Sequence, residues 1–403
     1  MFKMKKLLGA GALTAAAALV LAGCAGSDGG NDGGGDASGG SVKIMVFGSL
    51  SQPPFALSQI KTAAEAAVAH VNANGGAGGA QIELVVCDDN MSPNDATACG
   101  RTAVEEGVAA VVGTFSLFGD AIVPQLEAAE IPYVMPVAIS QLEVESDMTF
   151  AVMGAGAPSG VGMYLLEQQG CESVVMAATD NPQAHAGWEF YGSPVAENLG
   201  LPAEMITYPL DETNFSAVAQ QIADKTNCVI YGGGATDSAA LITALQQIKP
   251  GMKHMPLSTV AFPESTLAQL GDNTEGILVP STFYFPSTGE EAVTTAVEEM
   301  RAIDPNVSID DPSLNAYSAV LTFAQAADKV DGELTGKAIA AVLADPSTTI
   351  DVGMFPAVNF SETFGFFPPT PRVAGSTFIT YKAEGGQYVQ DGDPVDVSGL
   401  LGF

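Results

Sequence analysis

From about residue 43 to residue 385, short apolar runs alternate with amphipathic stretches. "VKIMVFG" reads as a buried strand, and over "ALSQIKTAAEAAVAHVNANGG" the side chains of Ile60, Ala64, Ala67, Val68 and Val71 share one helical face until Asn-Gly-Gly stops it. The pattern goes on to predict the strand "QIELVVC", a helix over 93–106, the strand "VAAVVGT", a helix near 119–129, the strand "IPYVMPV" and the run "MTFAVMG". Strands without polar alternation, separated by helices, form a parallel sheet covered on both faces.

The same grammar then restarts. A helix around "GVGMYLLEQQG" leads to "ESVVMAATD", a helix near 187–199, "AEMITYPL", a helix over "FSAVAQQIADK", "CVIYGGG", a helix carrying Leu241, Ile242, Leu245 and Ile248, "MPLSTV", a helix near 264–270 and "EGILVPSTFYF". Two successive doubly wound α/β units imply two lobes with a cleft between them. The remainder has helices near 289–303, 313–330 and 334–344 and then "STFITYK"; it is too short and too helical for a third sheet and is expected to return over both lobes.

The first forty residues follow other rules. Lys3, Lys5 and Lys6 precede an apolar run that ends in "LAGC", the pattern of a secretory signal somewhat shorter than a membrane span. That ending resembles a bacterial lipobox, which implies cleavage after residue 23 and a lipid anchor on Cys24. "AGSDGGNDGGGDASGG" then reads as a flexible tether to residue 41. The expected location is therefore the extracytoplasmic face of the cell membrane.

With 46 acidic against 14 basic residues the formal net charge is −32, and losing the three leader lysines makes it more negative still. Such a surface repels phosphate backbones, so nucleic acid is excluded as a partner. Setting Cys24 aside, four of the five cysteines remain in an oxidising compartment, and their positions pair Cys87 with Cys99 and Cys171 with Cys228. A loop as short as the first contributes ~3 kcal/mol in the chain-entropy account. A metal site built from Cys87, Asp88, Asp89, Asp95 and Cys99 would mix hard and soft ligands with no histidine nearby, so no metal is expected.

Catalysis finds little support. There is no G-x-S-x-G elbow, and "YGGGATD" lacks the full dinucleotide fingerprint. Asp180, Asp237 and Glu264 are the available carboxylates for glycoside chemistry, without any sign of pairing. The expectation is a protein that is not an enzyme and needs no cofactor.

Several phrases taken together, "NANGG", "CDDN", "AVVGTFS", "EAAEIPYVMP", "YGGGATDSAALITAL" and "GDNTEGILV", resemble the branched-chain amino-acid-type substrate-binding proteins of ABC importers. The resemblance spans roughly residues 43–385. It implies a type I periplasmic-binding fold: two Rossmann-like lobes joined by three crossovers, near Met153, Ser281 and Asn359, closing on ligand like a hinge. The lobes would be 42–152 plus 282–358 and 153–281 plus 359–403. Implied partners are a small molecule and the permease and ATPase subunits of an importer; a ligand-sensing receptor of the same fold is the alternative.

Ligands of open α/β sheets bind beyond the carboxyl ends of the strands. The cleft loops are then those carrying Gln52 and Phe55, Phe115, Ser116 and Leu117, and Ala138 and Ser140 in the first lobe. In the second lobe they carry His185 and Trp188, Gly234, and Thr259 and Phe262. By resemblance Ser116 grips a ligand carboxylate from a helix N-terminus. The family's threonine position holds Ile139 beside Ser140, its tyrosine position Gly234, and the carboxylate that pairs a ligand ammonium is replaced by Thr259. A plain branched-chain amino acid fits these replacements poorly; an amide or a larger, more apolar or aromatic relative fits better.

Overall fold

The computed structural model describes residues 40–53, 55–152, 157–362 and 371–398. The leader, Cys24, the tether as far as residue 39 and the expected crossover at Met153 lie outside the described residues. Among the described residues no helix is long and apolar enough to cross a membrane.

The first lobe opens with β1 (Ser41–Gly48), α1 (Ser58–Ala73), β2 (Gln81–Asp88), α2 (Pro93–Glu106) and β3 (Ala110–Phe115). It continues through α3 (Val123–Ala128), β4 (Tyr133–Val134), α4 (Gln141–Glu145) and β5 (Thr149–Phe150). Its strands run parallel in the order β2-β1-β3-β4-β5. The helix expected at 119–129 is broken into a 3-10 turn at Gly119–Ala121 followed by α3. Pro124 explains the break, because proline lacks an N–H and is tolerated only in a first helical turn.

The second lobe comprises α5 (Ala157–Gln168), β6 (Val174–Thr179), α6 (Pro182–Gly187), α7 (Ser193–Leu199), β7 (Ala203–Tyr208), α8 (Ser216–Lys225), β8 (Cys228–Gly232), α9 (Ala235–Ile248), β9 (Lys253–Pro256) and α10 (Glu264–Leu270). Its parallel order is β7-β6-β8-β9. The helix expected from 187 starts earlier, at Pro182, since the Asn181 side chain accepts from the Ala184 N–H and caps it. His254 sits buried on β9 with its Nδ1 2.6 Å from Tyr231 Oη.

A third, antiparallel sheet corrects the expectation that the C-terminal part is too helical for one. It consists of β10 (Leu278–Ser281), β11 (Thr377–Glu384), β12 (Gln387–Gln390) and β13 (Val395–Asp396), with α11 (Glu291–Ile303), α12 (Asp311–Ala327) and α13 (Gly336–Leu343) lying between β10 and β11 in the chain. Gly385 and Gly386, both at positive φ, make the two-residue turn that pairs Glu384 with Gln387. The intervening helices pack on the first lobe: α11 and α12 lie against α1, and α12 also lies against β3. Gly113 allows this, because a Cβ there would come 2.5 Å from Ala316 Cα. The chain also stays with the first lobe beyond Asn359. Phe360 packs edge-on against Phe150, and Arg372 and Ala374 hydrogen-bond Ala151 before β11 begins.

Both expected disulfides are formed, Cys87–Cys99 tying β2 to α2 and Cys171–Cys228 tying the approach to β6 to the start of β8.

Burial raises the carboxyls of Asp237 and Asp310 to about 6 and that of Glu143 to about 7, and it lowers His254 to about 4. A raised carboxyl holds its proton in the folded chain after the unfolded chain has released it, so its stabilisation is complete at low pH and is lost as pH rises through the folded value. His254 works in the opposite sense, losing stability as pH falls from its ordinary range toward 4. Three carboxyls outweigh one imidazole, and Glu143 alone corresponds to about 3 kcal/mol. Melting temperature should therefore be higher near pH 5 than at pH 7.5, and Glu143→Gln should flatten that slope in scanning calorimetry. A melting temperature that rises steadily from pH 5 to 7.5 would contradict this balance.

Candidate functional site

The turns after β1, β2, β3 and β4 form the first-lobe lip of the cleft, and three carboxylates organise them. Asp88 Oδ1 accepts from the backbone N–H of Leu50 (3.0 Å) and Asn90 (2.9 Å). Asp89, fully buried, accepts at Oδ2 from the hydroxyls of Ser49 (3.0 Å) and Ser116 (2.5 Å) and at Oδ1 from Met91 N–H (2.8 Å). Glu143 Oε2 accepts from the N–H of Ile139 (3.0 Å) and Ser140 (2.9 Å), while Ser140 Oγ accepts from Glu143 N–H, a reciprocal cap on α4. Burial raises Asp89 and Glu143, and these hydrogen bonds oppose the rise.

Beyond that lip, between the lobes, is a cavity of about 150 Å³. Phe55, Phe115, Leu117, Val137 and Ile139 form its first-lobe wall, with the rings of Phe55 and Phe115 5.3 Å apart. Met176, Ala178, Leu257, Val260 and Ala261 face them from the second lobe, with Gly232 and Gly233 at the end of β8. Ser159, Asn181, Ser258 and Tyr231, the last with its hydroxyl 2.6 Å from His254 Nδ1, are its neutral polar side chains, and no described lining residue is Asp, Glu, Lys, Arg or His. A cavity of this size accepts a benzene-sized body.

Of the residues expected to hold ligand, Phe55, Phe115 and Leu117 line this cavity. Ser116 does not: its hydroxyl donates to Asp89 and accepts from Phe118 N–H, and no regular helix begins beside it. Ser140 is spent as the cap of α4, and Ala138 is enclosed with Val144, Ala151 and Val373. Gln52 is exposed beside Ser51, and His185 pairs with Asp180 at 2.6 Å, both largely exposed. Trp188 packs against the core of the second lobe on a π-turn, and Gly234 is the N-cap of α9. Thr259 is fully buried, donating from N–H and Oγ1 to Asp311, and Phe262 is fully buried edge-on against Tyr231.

Several of the expected residues that do not line the cavity are one position away from residues that do. Val137 and Ile139 line the cavity around Ala138, and Ser258 and Val260 line it around Thr259. Adjacent residues of extended chain point to opposite sides, so naming the right loop does not name the right side chain. The alternation of Met176 and Ala178 along "VVMAAT" was the available signal for the second-lobe wall.

Gly119 is the tightest constraint on the lip, since a Cβ there would overlap the Glu143 carboxyl. Gly119→Ala should displace Glu143 from the N–H groups of Ile139 and Ser140 and lower stability by roughly 1–3 kcal/mol. Denaturant unfolding measures this, and an unchanged midpoint would contradict the packing described.

Comparison with known proteins follows the same geometry. The chain is similar to Leu/Ile/Val-binding protein homolog 1 of Brucella abortus (strain 2308), 25% identical over 283 residues, which cover 67% of this chain and 73% of that protein. Among solved structures it resembles an ABC-transporter solute-binding protein from R. palustris in complex with 4-hydroxybenzoate, with a TM-score of 0.73 and 19% identity over 88% of this chain and 97% of that one. It also resembles a fatty acid ABC transporter substrate-binding protein from Thermomonospora curvata, with a TM-score of 0.74 and 18% identity over 90% and 94% of the two chains. At that identity these structures speak for the fold, two lobes of type I periplasmic-binding architecture. The family model described as periplasmic binding protein matches residues 41–373, and the chain belongs to that solute-binding family.

Proposed function

We propose that the protein captures a small molecule with an apolar or aromatic body between its lobes and delivers it to the permease and ATPase of an ABC importer. The cavity carries this reading: strand-following loops of both lobes meet around it, and its walls are aromatic and aliphatic. A lipid on Cys24 would hold the protein at the membrane it serves. An aromatic compound or an amide suits the walls better than a plain branched-chain amino acid, whose charged ammonium has no carboxylate among the described lining residues. That one neighbour was solved in complex with 4-hydroxybenzoate and another is a fatty acid ABC transporter substrate-binding protein supports a ligand range wider than amino acids.

Thermal-shift screening of the full chain against aromatic compounds, amides and amino acids tests the ligand class. Aromatic or amide ligands should raise the melting temperature, and Ala178→Leu, which fills the cavity floor, should weaken the best of them at least tenfold, about 1.4 kcal/mol. Micromolar binding of Leu, Ile or Val with no response to the others would overturn the ligand reading. Cys24→Ser should move the protein from the membrane fraction to the soluble one, and unchanged membrane association would sink the lipid anchor.

A further inference from the structure

Helix N-termini and backbone N–H groups at a cleft are the ordinary means of holding an anion without Arg or Lys. In this chain many of those groups are already taken by its own carboxylates. On the first-lobe lip, the N–H groups of Leu50, Asn90 and Met91 and the hydroxyls of Ser49 and Ser116 turn onto Asp88 and Asp89. Glu143 takes the N–H groups of Ile139 and Ser140, although the side chain of Ile139 faces the cavity. Across the cleft, Thr259 gives both its N–H and its hydroxyl to Asp311, between two cavity-lining neighbours, Ser258 and Val260. The first turn of α9, which follows the lining residues Gly232 and Gly233, carries a carboxylate of its own in Asp237, 7% exposed and with Oδ2 unpartnered.

What remains facing the cavity is apolar surface and neutral hydrogen-bonding groups. Asn181 has an amide hydrogen beyond the one it donates to Thr179 O, and the Ser258 hydroxyl, which accepts from Val260 N–H, keeps its own proton to donate. A carboxylate placed here would lose its water and find no charged partner. It would also approach through the field of a chain whose formal net charge is −32. An ammonium fares no better at the wall, because the carboxylates near the cleft are engaged or set behind it.

Resting on the apolar-solute reading above, we infer that the ligand is electrically neutral: an aromatic or short aliphatic body ending in a carboxamide, hydroxyl or comparable uncharged group, with organic anions and zwitterions excluded. The site then differs in ligand charge from any that takes an aromatic acid in its ionised form.

Isothermal titration of the full chain at neutral pH and low salt, with bodies each presented in three forms, tests this. One set is benzoate, benzamide and benzylammonium; a second is 4-hydroxybenzoate, 4-hydroxybenzamide and 4-hydroxybenzylammonium; a third is hexanoate, hexanamide and hexylammonium. The amide of at least one set should bind at least tenfold more tightly than both charged forms of the same body. A carboxylate or an ammonium that binds as tightly as its amide overturns the inference and leaves the apolar-solute reading standing. If no member of any set binds, the apolar-solute reading falls and takes the inference with it.

Discussion

One buried carboxylate, Asp311 in the first turn of α12, bonds the first lobe to the second. Its helix packs on α1 and β3 of the first lobe, yet Asp311 accepts at Oδ2 from the Thr259 N–H (2.9 Å) and hydroxyl (2.8 Å) and at Oδ1 from Ser281 Oγ (2.5 Å). Thr259 follows the last parallel strand of the second lobe, and Ser281 ends β10 just before the chain departs for α11. Burial favours the neutral acid here, while these donors favour the ion. The helix N-terminus adds to the ionic side. Removing the carboxylate would leave several donors buried without an acceptor, a loss of roughly 1–3 kcal/mol for each group.

That clasp decides what Thr259 is for. A threonine turned inward to a structural acid cannot also address a ligand, so the contact with the cavity passes to Ser258 and Val260. Ser116 follows the same logic, with Asp89 in the part of Asp311, and so does Ser140 with Glu143. The acid-rich composition is therefore more than a coat of surface charge. Asp89, Glu143, Asp237, Asp310 and Asp311 are all buried, and all have carboxyls raised by that burial. Their stability penalty near neutral pH is matched by fixed loop geometry around the cleft. Fixed walls lower the entropy lost when a small ligand is bound.

Most of the fold was legible in the sequence because each element sits in an uninterrupted apolar pattern. "VKIMVFG" and "CVIYGGG" can only be buried strands once helices flank them, and α2 begins at Pro93 and ends before Gly107, as its cap residues signal. The broken segment at 119–129 escaped because its apolar spacing is continuous, and only the backbone limits of Pro124 interrupt it. The third sheet escaped because its partners, β10 and β11, are separated by three helices, and pairing at such range leaves no local pattern. Its one local sign was the Gly385–Gly386 turn. The site was legible at the level of loops, and at the level of side chains only for Phe55, Phe115 and Leu117. Periodicity places a loop at the cleft, whereas the choice between Ser116 and its neighbours depends on where Asp89 arrives from another strand.

The same reasoning bears on how polar residues in cleft loops should be weighed. A serine or threonine beside a cleft is a candidate ligand group only if its hydrogen bonds are unclaimed. In a chain with 46 acidic residues, claimants are abundant. At Ser49, Ser116, Thr259 and Ser281 the hydroxyl donates to an aspartate that comes from elsewhere in the chain. Burying an acid among hydroxyls satisfies both groups, and it removes from the cleft the donors that an anionic ligand would need. The apolar side chains left between those polar pairs, Phe115 and Leu117 around Ser116 and Val260 beside Thr259, then become the cavity wall. The aromatic character of the site and its lack of charge are two results of one arrangement, in which the chain's own carboxylates take up polar groups of the first-lobe cleft loops and of Thr259.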